Sequence, residues 1–268
     1  MTDSVLSKGH KTLLKIIKQG KKMRSLLFLL LGIALPFSAS ADDHLPQPNI
    51  TAIWECTLTE GTTAAELAEW GAGDLKKWID KNDINIGSYL WEAVATNPPF
   101  DEPDVRWVDY HPSWADFYAM KDAWDNKSGA LQDKWDSMVT CGKTRFAVAR
   151  PMGGPVPQAT KKPLVANVCT LNEGKTLQDA MAFLPKATSL INETVGAEIS
   201  SLIFTDFIGV SGPDYVSLFT GTTNEMVKAM DGLKNGAYAS VFTRAGLEIP
   251  SSCVVDLHHS YEMIPFAN

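Results

Sequence analysis

From residue 50 onward the chain runs twice through one order of hydrophobic and polar patterns. Stretches 50–56 and 164–171 are rich in β-branched and other apolar residues, which predicts a strand at the head of each half. A capped helix follows each strand. Thr63-x-x-Glu66 and Thr176-x-x-Asp179 set a hydroxyl and a carboxylate three residues apart, the arrangement that satisfies free N–H groups at a helix start. Behind these caps Leu67, Trp70, Leu75, Trp78 and Ile79 recur at helical spacing, as do Leu177, Met181, Leu184 and Ile191. Two strands come next in each half, over 86–94 and 105–110 and over 201–207 and 215–220. Second helices are predicted over 114–124 and 225–233, opened by Ser113-x-x-Asp116 and Thr222-x-x-Glu225, with a further helical piece over 131–138. Strands over 146–150 and 253–261 close the two units.

The two halves also share residues. Cys56-Thr57-Leu58-Thr59-Glu60-Gly61 lines up with Cys169-Thr170-Leu171-Asn172-Glu173-Gly174. At nearly constant offset, Pro103-Asp104 matches Pro213-Asp214, Ala119-Met120 matches Ala229-Met230, and Cys141 matches Cys253. Matches kept in one order are the mark of a tandem duplication. Between the copies, 151–163 holds Pro151, Pro155, Pro157 and Pro163 with Gly153-Gly154, which reads as a linker. The expected division is therefore a first α+β repeat over 42–150, the linker, and a second repeat over 164–268.

The order β-α-β-β-α-β is that of the ferredoxin-like unit. Such a unit covers one face of its sheet with helices and leaves the other bare, and two copies bury the bare faces by packing sheet to sheet. Over 50–261 the chain thus resembles the dimeric α+β barrel superfamily in tandem, single-chain form. That group includes cofactor-free monooxygenases, stress-response barrels, polyketide cyclases, muconolactone isomerases and haem-handling enzymes. The resemblance implies a pseudo-dimeric α+β barrel and a small-molecule pocket. It rests on element order and duplication rather than a catalytic motif, so it carries no functional residue across.

The chain's start adds a compartment. Lys8, Lys11, Lys15, Lys18, Lys21, Lys22 and Arg24 precede an apolar run over 26–35 and the small residues Ala39-Ser40-Ala41, the order of a secretory leader over 1–41. The apolar run is shorter than the ~20 residues needed to span a bilayer, so no stable membrane anchor is expected after cleavage. The formal net charge of the whole chain is −7, and the leader holds much of its positive charge. An acidic remainder is repelled by nucleic acid and by anionic lipid. The expected location is periplasmic or secreted, and the oligomeric state is set by nothing in the sequence. In such a compartment the four cysteines Cys56, Cys141, Cys169 and Cys253 are expected to pair. Three pairings exist. The duplication favours Cys56–Cys141 with Cys169–Cys253, and pairing between the halves is the alternative.

Strand alternation sorts the candidate pocket. With Leu90, Val108, Ile203 and Leu218 assigned to the helix side, the inter-sheet side receives Trp54, Tyr89, Trp91, Trp107, Phe204 and Phe219 with Asn167 and Asp206. Asp109 and His111 fall on that same side. Aromatic walls with a few polar groups suit a small apolar or aromatic ligand. The same residues also suit a plain inter-sheet core. His111 beside Asp109 suggests cofactor-independent acid–base chemistry, with His111 as base and Asp109 or Tyr89 orienting or donating a proton. Two rival readings are a non-catalytic interaction or sensory module, and haem handling with His111 or another inward histidine as ligand. No motif calls for a cofactor, and no spacing marks a metal site.

Overall fold

The computed structural model describes residues 48–96, 103–157, 159–209 and 211–266. The expected leader lies outside the described residues. In the first half the strands are β1 (Asn49–Leu58), β2 (Gly87–Ala95), β3 (Val105–His111), β4 (Val139–Cys141) and β5 (Arg145–Gly153). In the second they are β6 (Lys161–Leu171), β7 (Ser200–Ile208), β8 (Tyr215–Thr220) and β9 (Ser251–Ile264). Among the described residues six helices accompany them. α1 covers 64–81 as two α segments, Ala64–Trp70 and Lys76–Lys81, joined by a π-helical turn at Gly71–Leu75. α2 (Trp114–Lys127) and α3 (Ala130–Met138) complete the first half, and α4 (Leu177–Val195), α5 (Thr223–Lys234) and α6 (Ala237–Arg244) belong to the second.

The strands run β3-β2-β9-β6-β8-β7-β5-β1, and β1 pairs with β3 to close the ring. Every pairing is antiparallel. The result is an eight-stranded barrel with helices outside it, and β4 adds a short strip beside the end of β1. The halves meet at two seams, where Leu90 of β2 lies opposite Tyr261 of β9 and Ala149 of β5 opposite Phe204 of β7. Closure leaves no long unpaired edge to template association. Trp91, Val108, Tyr110, Leu164, Phe204 and Leu218 pack inside the ring. Outside it, the first half packs its helices over Leu67, Ile79, Leu90 and Trp107, and the second over Leu184, Ile203 and Tyr215.

Local chemistry sets the helix starts. The Thr63 N–H donates to the Glu66 carboxylate at 2.8 Å while the Glu66 N–H donates to Thr63 Oγ1 at 3.2 Å. Thr176 and Asp179 repeat this at 2.8 and 3.3 Å. Asp104 accepts from the Leu58 N–H at 2.9 Å, and Asp214 accepts from the Leu171 N–H at 2.7 Å, at corresponding places in the two halves. Both disulfides join directly opposed strand residues within a half: Cys56–Cys141 across β1 and β4, and Cys169–Cys253 across β6 and β9. No helix among the described residues is long and apolar enough to cross a membrane.

Between the halves the irregular stretch is shorter than the Pro and Gly content predicts. β5 continues through Gly153 because Pro151 and Gly153 pair with Leu202 and Ser201 of β7, and β6 begins at Lys161. The turn out of β5 needs Gly154: its φ is +82°, and a Cβ there would lie 2.1 Å from the Ile199 carbonyl oxygen. α6 and β4 were not anticipated. α6 is held by tertiary contacts, with the Tyr238 hydroxyl donating to the Ala229 carbonyl and Phe242 packed edge-on against Phe183.

Candidate functional site

β3 shows why the strand faces were misassigned. Apart from the half-buried Arg106, every residue from Val105 to His111 is buried. Alternation then separates two sets of side chains without saying which set looks outward. The structure puts Val108 and Tyr110 inside the ring and Trp107, Asp109 and His111 under the helices, the reverse of the expected phase. Trp54 of β1 lies opposite Trp107 and shares its outer face. In the second half the same reversal places Leu218 inside the ring and Phe219 against the helix-side clusters. Asn167 also faces outward, its side-chain amide donating to Ser217 Oγ at 3.3 Å. On the second strands the expected phase holds: Leu90 and Ile203 face the helices, and Tyr89, Trp91, Leu202 and Phe204 face inward. Asp206 is exposed near the end of β7, at φ +52°, and accepts from Thr205.

The larger space is therefore not between the sheets. A cavity of about 500 Å3 lies between the outer face of the first half's sheet and α1, α2 and α3. Its walls include Trp54 from β1, Trp107 from β3, Trp124 from α2 and Trp135 from α3. The Trp107 and Trp135 rings meet edge to face at 4.4 Å with a 72° interplanar angle, and Trp124 meets Trp135 at 6.3 Å and 75°. Trp124 Nε1 donates to Gln132 Oε1, which ties α2 to α3 at the cavity's edge.

Asp109 is the buried charge-bearing group of this cavity, with 6 % of its surface exposed. Its Oδ1 accepts from Ser88 Oγ at 2.6 Å and from Trp107 Nε1 at 2.8 Å. Burial pushes the carboxyl up to about 7 against the pull of those two bonds. It is therefore divided between acid and carboxylate near neutral pH. At the rim Lys121 pairs with Asp125, and Gln132 donates to Asp136 at 2.7 Å.

The acid–base trio expected from the sequence is not assembled. Tyr89 lies across the sheet from Asp109, inside the ring, edge to face with Tyr110 at 5.4 Å. Its hydroxyl is pushed up to about 12, first by burial and then by Glu262. His111 shares the face of Asp109 but sits under the start of α2, its ring edge to face with Phe117 at 5.3 Å. It is fully buried, and neither ring nitrogen has a hydrogen-bond partner among the described residues. Burial pushes it down to about 4, so it is neutral at pH 7.

Inside the ring a smaller cavity of about 170 Å3 is lined by Tyr89, Trp91, Tyr110, Lys162 and Phe266 among others. Lys162 is nearly enclosed there and pairs with Glu262 at 3.0 Å. Deeper in the ring Trp91 stacks on Phe204 at 6.0 Å. His258 lies alongside Trp91 and is pushed down to about 4, mainly by burial. Among the described residues no three His, Cys, Asp or Glu side chains are grouped to hold a metal ion.

Sequence reasoning missed Ser88, Trp124 and Trp135 as site residues. One signal was available. All eight tryptophans fall between residues 54 and 135, so the tryptophan content belongs to one half and not to the seam between two.

The chain matches no family model and no curated protein. Solved structures do resemble it. A double mutant of chlorite dismutase from Candidatus Nitrospira defluvii aligns over 81 % of this chain and 93 % of its own, at 7 % identity and a TM-score of 0.44. Chlorite dismutase from the same organism in complex with imidazole aligns over 80 % and 91 %, at 8 % identity and a TM-score of 0.42. The likeness is one of fold, and no chemistry is carried from it. By its own strand order the chain is a mixed α+β fold, an eight-stranded antiparallel ring with helices outside it.

Proposed function

We propose that this chain is an exported protein that binds a small apolar or aromatic molecule, and that its site is the tryptophan-walled cavity beneath α1, α2 and α3. One observation carries the reading: a cleft of about 500 Å3 lined by four indoles and a buried carboxyl. That volume lies within the ~300–1,000 Å3 of small-molecule sites, and the mixture of apolar wall and few polar groups is theirs. The ring's interior is a weaker candidate at about 170 Å3. Binding is favoured over acid–base catalysis because His111, Asp109 and Tyr89 do not converge on one space.

Two disulfides and the leader pattern support export to a periplasmic or extracellular location. The matched bridges, caps and Asp104/Asp214 contacts support a division into two ferredoxin-like repeats, 42–150 and 164–268, joined by 151–163. Haem handling is a second reading. It is favoured by the neutral, buried rings of His111 and His258, which have ring nitrogens without hydrogen-bond partners among the described residues. Neither histidine lines the tryptophan cavity.

The test is intrinsic tryptophan fluorescence of the disulfide-bonded protein titrated with small aromatic probes. Trp135→Ala is expected to weaken binding by about tenfold, the loss of ~1.4 kcal/mol. Trp91→Phe, inside the ring, is expected to change affinity little. Equal losses in both variants, or no binding by any probe, refute the site. A Soret band after adding haem that disappears in His111→Ala would support the second reading instead.

A further inference from the structure

We propose that the occupant of the tryptophan cavity is an organic cation, an amine or quaternary ammonium group on an apolar body, with Asp109 as its counter-ion. This rests on the cavity being the binding site, and it names the ligand's charge.

The argument begins with what Asp109 lacks. Its two hydrogen-bond partners, Ser88 and Trp107, are neutral, and both bonds end on Oδ1. A buried carboxylate is stable only when paired. Lys121, the cation at the cavity's edge, is already paired with Asp125. With no positive partner among the described residues, the carboxyl holds its proton up to neutral pH. A cation entering the cavity supplies the missing partner.

The walls suit the same occupant. An indole is the best aromatic face for a cation, and desolvation strengthens the attraction. Edge-to-face packing of Trp107 and Trp124 on Trp135 holds the rings at steep angles to one another, so they wall the space from different directions. The ionisable lining groups are Asp109, Asp125, Asp136 and the single Lys121, a negative balance that matches the acidic chain. Such a balance draws cations in and repels anions.

A proton balance follows. The acid form of Asp109 plus a permanent cation gives the carboxylate–cation pair and one released proton. Cation affinity therefore rises with pH until Asp109 is ionised in the free protein, and levels off above that point. The charged groups that line the cavity with Asp109 are Lys121 and Asp125 from α2 and Asp136 from α3. α1 contributes Leu75 and Ile79, β2 contributes Ser88 and β9 contributes Ile264, none of which titrates.

The experiment is calorimetric titration of the intact disulfide-bonded protein with benzyltrimethylammonium, benzyl alcohol and benzoate at pH 5.5 and pH 8.5. The cation is expected to bind about tenfold or more tightly at the higher pH, and to release a proton at the lower one. Benzyl alcohol is expected to show no such rise, and benzoate to bind weakest. Asp109→Asn should weaken the cation more than the alcohol and abolish the pH dependence. The wild-type pH series stands by itself should that variant fail to fold. Benzyl alcohol binding at least as tightly as the cation, with no proton release, would overturn the charge assignment while leaving the cavity as a binding site. Binding of none of the three would remove the site and the proposal together.

Discussion

Replacing Asp109 by Asn removes one titration and keeps the shape of the side chain. The amide oxygen can accept from Ser88 and Trp107 as Oδ1 does now. In the folded protein the carboxyl is raised from 3.8 to about 7. Between those values the native state holds a proton that the unfolded chain has lost. The stabilising contribution is thus fully present below pH 3.8, and it is lost as pH rises through 7. The slope is about 1.4 kcal/mol per pH unit, and the total is about 4 kcal/mol. No large discount for solvent applies, because the side chain is almost wholly enclosed. The Asn variant has no such slope. It should match the wild type near pH 4 and exceed it by about 4 kcal/mol at pH 8. Urea unfolding of both proteins at half-unit intervals from pH 4 to pH 9 measures the difference, in which titrations common to both cancel. A difference that stays constant with pH, or a variant less stable than the wild type at pH 8, refutes the claim that Asp109 is buried without a cation.

Three further outcomes are expected. Cys56→Ser with Cys141→Ser opens a loop of sequence separation 85, and Cys169→Ser with Cys253→Ser one of 84, so each pair should lower urea-measured stability by about 4.5 kcal/mol in the chain-entropy model. Markedly unequal losses would show that one bridge does more than restrict the unfolded chain. His111 is lowered from 6.5 to about 4, so its neutral form supports the fold above pH 6.5 and that support is lost as pH falls towards 4. His111→Leu should therefore gain about 2 kcal/mol over the wild type at pH 5 and change by less than about 1 kcal/mol at pH 7.5, as read by thermal melts. Thr63→Ala and Thr176→Ala each remove one side of a capping box and should cost about 1 kcal/mol in the same melts; no loss at either would mean that packing alone sets the helix start.

Much of the secondary structure was legible because its signals are local. The capping residues Thr63, Ser113, Thr176 and Thr222 each accept from the backbone N–H three residues on, as their spacing predicts. The predicted strands fall within a few residues of those observed. The site was less legible. A surface strand advertises its phase through polar residues on one side, whereas β3 is buried on both. Choosing its phase from Val108 and Leu218 was arbitrary, and Trp54, Trp107, Asp109 and His111 followed that choice. Trp124 and Trp135 fall within the helical stretches predicted over 114–124 and 131–138, and nothing one-dimensional brings them over Asp109.

The amino-acid order alone determined most of the succession of elements and the helix starts, and favoured the pairing of each cysteine within its own half, since these depend on neighbours along the chain or on alignment of one half with the other. Ring closure decided the rest. Once β2 pairs with β9 and β5 with β7, β3 is enclosed on both faces, by barrel interior on one side and helices on the other. Which face receives Asp109 is then a matter of three-dimensional packing, and the answer moved the candidate site from the seam between the halves to the helix-covered side of the first.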